Sequence, residues 1–177
     1  MSWQSGDPEA RPAVYLPQSD GETPLAYVER VTREKAETAS ATMLSRRLRL
    51  RPVLTADTTV TLDGRILNKP ADDAEALAML RMLSGSTHQV LTSIALIHRE
   101  EFWQTTHTSE VTFATLSEET MRAYCAMPEP YDKAGGYAIQ GRAAQFITHI
   151  AGSQSGIMGL PLYETSQLLQ QAGIRIL

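Results

Sequence analysis

Apolar residues Leu25, Val28, Val31 and Ala36 recur at helical spacing after Pro24, which predicts an amphipathic helix from Pro24 to about Leu44 with Glu29 and Arg33 one turn apart. The period then shortens. Val53 to Ala56 reads as a buried strand whose end presents Asp57. Thr59-Val60-Thr61-Leu62 alternates up to Asp63-Gly64, a hairpin signal that leads into Arg65-Ile66-Leu67. Asp72, with Glu75 three residues on, predicts a capped helix carrying Leu77, Leu80 and Leu83 and ended by Ser84-Gly85. Val90 to Ile97 and Val111 to Leu116 read as strands with a polar turn between them. Ser117, Glu118 and Glu119 form a helix start, continued by Met121, Tyr124 and Cys125 and stopped by Pro128 and Pro130. Further on, Ala144 to Ile150 reads as a strand, Gly152 to Gly159 as a flexible loop, and Pro161 to Gln171 as a helix closed by Gly173. Helices interleave with strands and at least one hairpin is present, so the expected class is α/β with a mixed sheet rather than a purely parallel one. Met1 to Thr23, rich in Pro, Asp, Ser and Gly, is expected to be irregular, leaving residues 24–177 as one domain.

One segment fits neither period. Glu129 to Gly141 packs an acid, an ammonium, a planar amide and three glycines into a stretch that cannot be an ordinary helix or strand. It reads as a ligand loop: glycine lets the backbone approach a ligand, Lys133 offers a point charge for phosphate, and Gln140 offers a donor and an acceptor for a base edge. The acidic segment Ala56-Asp57-Thr58 is the candidate other half of the site.

Composition narrows the partners. With 177 residues, 42% hydrophobic and 20% charged, the chain matches an ordinary globule. Val90 to Ile97 falls far short of the ~20 apolar residues of a membrane span. The first eleven residues carry Asp7 and Glu9 and no apolar stretch, so no secretory signal is read and the expected location is the cytosol. A net charge of −4 argues against a nucleic-acid polymer as partner, while a single nucleotide with its metal ion remains compatible. The run Arg46-Arg47-Leu48-Arg49-Leu50-Arg51 is better read as a solvated connector than as a polyanion patch. Cys125 stands alone and reads as a small buried hydrophobe.

Several chemistries are excluded by spacing. Gly136 and Gly141 are separated as in a P-loop, but Arg142-Ala143 stands where the phosphate lysine and the magnesium hydroxyl belong. Gly152-Ser153-Gln154-Ser155-Gly156 places glutamine where a nucleophile elbow needs serine. The four histidines, His88, His98, His107 and His149, lack zinc spacing.

What remains is an ordered set: Ala56-Asp57-Thr58, Leu62-Asp63-Gly64 with Asn68-Lys69-Pro70, Met82-Leu83-Ser84-Gly85 with His88, Asp132-Lys133-Ala134-Gly135, Ile139-Gln140-Gly141, and Gly159-Leu160-Pro161-Leu162. Each string is weak alone, but in this order, from Pro24 onward, they resemble the Maf family of nucleoside triphosphate pyrophosphatases, and more narrowly its dTTP and UTP branch. The resemblance implies a two-lobed architecture like that of inosine triphosphatases, with a central nucleotide cleft. It also implies hydrolysis between the α and β phosphates with a divalent cation, magnesium or manganese, and a link to cell-division arrest. Related proteins are often dimers.

On that resemblance Asp57 is the proton acceptor and a metal ligand, Lys69 and Lys133 contact the triphosphate, Thr58 and Gln140 govern substrate choice, and Asp132 binds metal or holds Lys133. Asp57, Lys69, Lys133 and Gln140 are expected to converge on the cleft. Taken alone, Asp57 would be a cap or ion-pair partner and either lysine a surface residue. Family members also carry a Ser-x-Ser-Pro-Arg-Arg loop and a downstream acidic pair. Met1 to Thr23 contains no such loop, and Asp20 and Glu22 are an imperfect substitute for the pair. The alternative reading is a catalytically impaired Maf-like nucleotide-binding or regulatory protein linked to cell division.

Overall fold

The computed structural model describes residues 16–176. The expectation of irregular structure over Met1 to Thr23 therefore lies mostly outside the described residues; within them, residues 16–23 are coil and turn. Helix α1 (Pro24–Ser45) starts where Thr23 Oγ1 accepts the Ala26 N–H at 3.2 Å, with Pro24 in the first turn, where its missing N–H costs nothing. Strands β1 (Val53–Leu62) and β2 (Arg65–Leu67) form the predicted hairpin, and Asp63 and Gly64 both take the positive φ that its tight turn requires. Helix α2 (Asp73–Leu83) opens on a capping box in which Asp72 accepts the Glu75 N–H at 2.9 Å and Glu75 reaches back to the Ala71 N–H at 2.8 Å.

Strands β3 (Thr87–His98) and β4 (Glu101–Phe113) make one long hairpin, followed by α3 (Glu118–Cys125), β5 (Ile147–Ala151), α4 (Gln154–Ile157) and α5 (Leu162–Gln171). The strand order is β2-β1-β3-β4-β5, and every described pairing is antiparallel. The α/β class expected from the sequence is the one observed, and where a mixed sheet was expected the described strands pair antiparallel throughout, because each follows its neighbour through a hairpin or a return connection.

Four local expectations are corrected. Residues 99–110 are not a polar turn: the turn is confined to Arg99 and Glu100, both at positive φ without a glycine to mark it. Phe102, Trp103, Thr105, Thr106 and Thr108, all residues that suit a pleated surface, extend β4 instead. Asp57 does not end β1 but sits within it, opposite Ser93. The first half of the strand expected from Ala144 is a 3-10 segment, Arg142–Phe146, and β5 begins only at Ile147. The expected loop from Gly152 to Gly159 contains α4, whose N–H of Gly156 is capped by Ser153 Oγ at 3.0 Å.

Side chains on one face of the sheet explain the lobes. On β3 that face carries His88 and Val90, then Thr92, then Ile94 and Leu96; on β1 it carries Val60, then Thr58, then Ala56; on β4, Val111 and Phe113, then His107 and Ser109, then Trp103. The apolar residues at either end belong to two separate cores. One gathers α2, α3, Tyr137 and Phe146 around Val60, Val90, Val111 and Phe113, and the other packs Leu168 of α5 on Ile94 and Leu96. Between them Thr58, Thr92 and His107 stand directly across from one another on neighbouring strands. This polar row divides one continuous sheet into two lobes. Helix α1 covers the opposite face, with Val28 and Ala36 fully buried.

Candidate active site

An open cleft of about 810 Å³, counting its solvent-filled mouth, lies against the polar row and is lined by Thr58, Lys69, Asp132, Lys133, Gln140 and Gly159, with Val60, Val90 and Tyr137 as apolar walls. Strand alternation aims Thr58 into it, where its hydroxyl meets that of Thr92 at 2.9 Å. Lys69 follows β2, and its loop is tied to the ligand loop by a hydrogen bond from the Gly135 N–H to the Asn68 carbonyl at 3.1 Å. That tie demands glycine. Gly135 has φ +74 and a Cβ there would lie 2.9 Å from Val60 Cγ1, so a side chain would meet both backbone strain and the core.

Asp132 and Lys133 form an ion pair at 2.5 Å, and both are exposed to the cleft. The Lys133 ammonium, with a smaller contribution from Lys69, holds the Asp132 carboxyl below its ordinary range. Two cations and one anion thus share the polar end of the cleft.

Gln140 is placed by a residue that the sequence reading left without a role. Glu129 accepts the backbone N–H of Arg142 at 2.9 Å and of Ala143 at 3.2 Å, together with the Tyr124 hydroxyl at 2.9 Å. Burial alone would raise the Glu129 carboxyl, but these donors outweigh it and hold it below the ordinary value. The carboxylate lies so close to Gly141 that a Cβ there would stand 2.3 Å from Glu129 Oε1. Glu129 and Gly141 therefore fix the turn that follows Gln140. The available signal was Glu129 itself, an acid opening a loop that ends in glycine.

Asp57 does not join this group. One residue before Thr58, its side chain leaves the other face of β1 and is ion-paired with Lys35 of α1. Thr55, two residues earlier on the same face, likewise donates to the Thr32 carbonyl of α1 at 3.0 Å. The expected convergence thus holds for Lys69, Lys133 and Gln140 and fails for Asp57, because strand alternation separates neighbours. Lys35 is the cation that sequence reasoning missed. The two faces meet at an edge: β2 pairs only with Val60 to Leu62, so among the described residues β1 from Val53 to Thr59 has no strand partner on that side.

Of the suggested acidic pair, Glu22 is engaged otherwise. Arg30, hydrogen-bonded to it at 2.7 Å, and the Ser19 N–H draw its carboxyl down to about 2.

The family model described as Maf-like protein matches residues 4–172. The chain belongs to the Maf family. Proteins named dTTP/UTP pyrophosphatase align with it at length: that of Ralstonia nicotianae is 50% identical over 171 residues, covering 96% of this chain and 81% of the relative. That of Dechloromonas aromatica is 50% identical over 155 residues, 88% of this chain and 77% of the relative. That of Bordetella avium is 46% identical over 167 residues, 94% and 83%. This Maf chain thus carries the ordered motifs on both faces of β1 and around one cleft. No helix among its described residues is long and apolar enough to cross a membrane.

Proposed function

We propose that this chain is a nucleoside triphosphate pyrophosphatase that hydrolyses dTTP and UTP to the monophosphate and pyrophosphate. The observation that carries the reading is the gathering of Lys69, Lys133 and Gln140 on one cleft in a chain about half identical to proteins named for that activity. The Gln140 amide both donates and accepts, which suits the O4 and N3 edge shared by uracil and thymine. Val60, Val90 and Tyr137 give the ring an apolar wall. Lys69 and Lys133 meet phosphate oxygens, and binding them frees Lys133 from Asp132. In this reading the phosphates pass the edge of β1 from Val53 to Thr59, which has no strand partner among the described residues, to reach Asp57 beside Lys35 on the far face. There Asp57 takes a proton from the attacking water as its oxygen bonds to the α phosphorus and the bridge to the β phosphate breaks. Such base assistance is worth ~10²–10⁴ in rate.

Magnesium or manganese is the expected cofactor. Among the described residues no three of His, Cys, Asp and Glu gather into a ready cage. A hard cation carried on a triphosphate takes one or two protein carboxylates; Asp132 is the candidate on the cleft and Asp57 the candidate on the far face of β1. When bound, the ion offsets phosphate charge. The expected setting is the cytoplasm and the expected assembly a homodimer.

The test is pyrophosphate release from a panel of nucleoside triphosphates with magnesium or manganese. Release from dTTP and UTP, abolished in Asp57→Ala, is expected; no release above that control would refute the proposal.

A further inference from the structure

The polar row across the sheet ends at a histidine that the proposed chemistry does not use. His107 Nδ1 lies 2.5 Å from Glu164 Oε1 of α5, and its Nε2 lies 3.1 Å from the backbone nitrogen of Ser153. An amide N–H can only donate, so Nε2 accepts and the ring proton resides on Nδ1, donated to Glu164. Ser109, two residues on along the same face, accepts from the same N–H at 3.0 Å and donates to the Ser153 carbonyl at 3.3 Å. Ser153 in turn caps α4 through the Gly156 N–H, and the Gly156 carbonyl accepts from Thr92 at 2.7 Å, beside Thr58. The residues directly after Gly156 are Ile157, Met158 and Gly159, which form one wall of the cleft.

We infer that His107, oriented by Glu164, is a positioning residue that holds the Ser153 to Gly159 segment against the sheet and so sets how tightly the cleft grips the nucleoside end of its substrate. Three facts favour this over a purely structural histidine. α4 is only four residues long, too short to hold its place by its own hydrogen bonds. Its anchors are polar contacts to the row of Thr92, His107 and Ser109 rather than apolar packing, apart from Ile157 against the larger core. And Met158, half exposed, has little packing of its own to fix the wall. The inference rests on the pyrophosphatase reading for its kinetic consequence, but not for its structural one.

The experiment pairs His107→Ala with His107→Gln, whose side-chain oxygen can stand near the position of Nε2 and accept the same N–H. Amide hydrogen exchange is followed in the free protein, and steady-state kinetics with UTP and magnesium in parallel. In His107→Ala, exchange at Ser153 and Gly156 is expected to accelerate about tenfold, the size of one lost net hydrogen bond, while Ile94 in the neighbouring core stays protected. KM for UTP rises about tenfold with kcat within about twofold, and His107→Gln recovers most of both effects. Unchanged exchange at Ser153, equal acceleration throughout the sheet, a fall in kcat with KM preserved, or a His107→Gln variant as impaired as His107→Ala would each overturn the inference. If the unaltered protein releases no pyrophosphate, the functional proposal fails by itself and the exchange measurement decides the role of His107 alone.

Discussion

Acidifying this protein should destabilise it through one side chain, His88. The ring is 1% exposed, packed edge-on against Phe113 and Tyr137, and hydrogen-bonded through Nε2 to the Tyr137 hydroxyl at 2.7 Å. Nδ1 is buried without a partner, so no neighbour among the described residues rewards a positive ring. Burial pushes the imidazole down from 6.5 to about 4. A folded value below the unfolded one means the unfolded chain binds the proton more readily. The stability held by neutral His88 is therefore fully present above 6.5 and is lost as pH falls toward 4. Linkage between those two values gives a loss of about 2 kcal/mol from pH 7 to pH 5 and roughly 3 kcal/mol once both states are protonated. His88→Gln can keep a hydrogen bond to Tyr137 without titrating. Urea midpoints at pH 7 and pH 5, converted with each protein's own slope, should show the unaltered chain losing about 2 kcal/mol more than the variant, since carboxylate contributions cancel in the comparison. Carbon-detected NMR of the His88 ring should show no titration above pH 5. Equal losses in the two proteins, or a His88 ring that titrates near 6.5, would refute the reasoning.

Gly141→Ala should drive Cβ into the Glu129 carboxylate, costing about 1–3 kcal/mol of stability by urea unfolding and weakening UTP binding by calorimetry through displacement of Gln140. Glu129→Gln keeps the shape but weakens the charge-assisted bonds to the Arg142 and Ala143 N–H groups; loss of about 1–2 kcal/mol is expected at neutral pH, narrowing as acid protonates the native carboxyl. Lys133→Ala should raise KM for UTP about tenfold or more, whereas the same change at the exposed Arg46 leaves it within about twofold in the same assay.

The elements legible in the sequence were those with local punctuation. Asp72 and Glu75 announced α2, Ser117 announced α3, and Asp63-Gly64 announced the first hairpin, each through a hydrogen bond or backbone angle that its own side chains dictate. In the second hairpin the tight turn and the first part of β4 were missed because Arg99 and Glu100 turn the chain without glycine or asparagine, held by twelve residues of pairing on either side rather than by turn chemistry. That the two loops share a cleft was legible in the sequence, whereas the facing of β1 was not. Lys69, Asp132, Lys133 and Gln140 lie in two loops that the Gly135 to Asn68 hydrogen bond brings together, whereas Asp57 and Thr58, adjacent in sequence, face opposite ways. The N–H contacts of Glu129 and the seat of α4 on His107 depend on pairings formed between distant segments, which periodicity cannot register.

The row formed by Thr58, Thr92 and His107 also bears on how the molecule comes apart. An apolar layer transmits cooperativity because every side chain leans on its neighbours, and here that layer is interrupted across three adjacent strands while the backbone ladder runs on unbroken. On the other face the same line is braced from behind: Lys35 of α1 pairs with Asp57 beside Thr58, Thr32 of α1 bonds the Ser93 carbonyl beside Thr92 at 3.4 Å, and Val28 and Ala36 are fully buried, so α1 carries the cooperativity that the polar row interrupts.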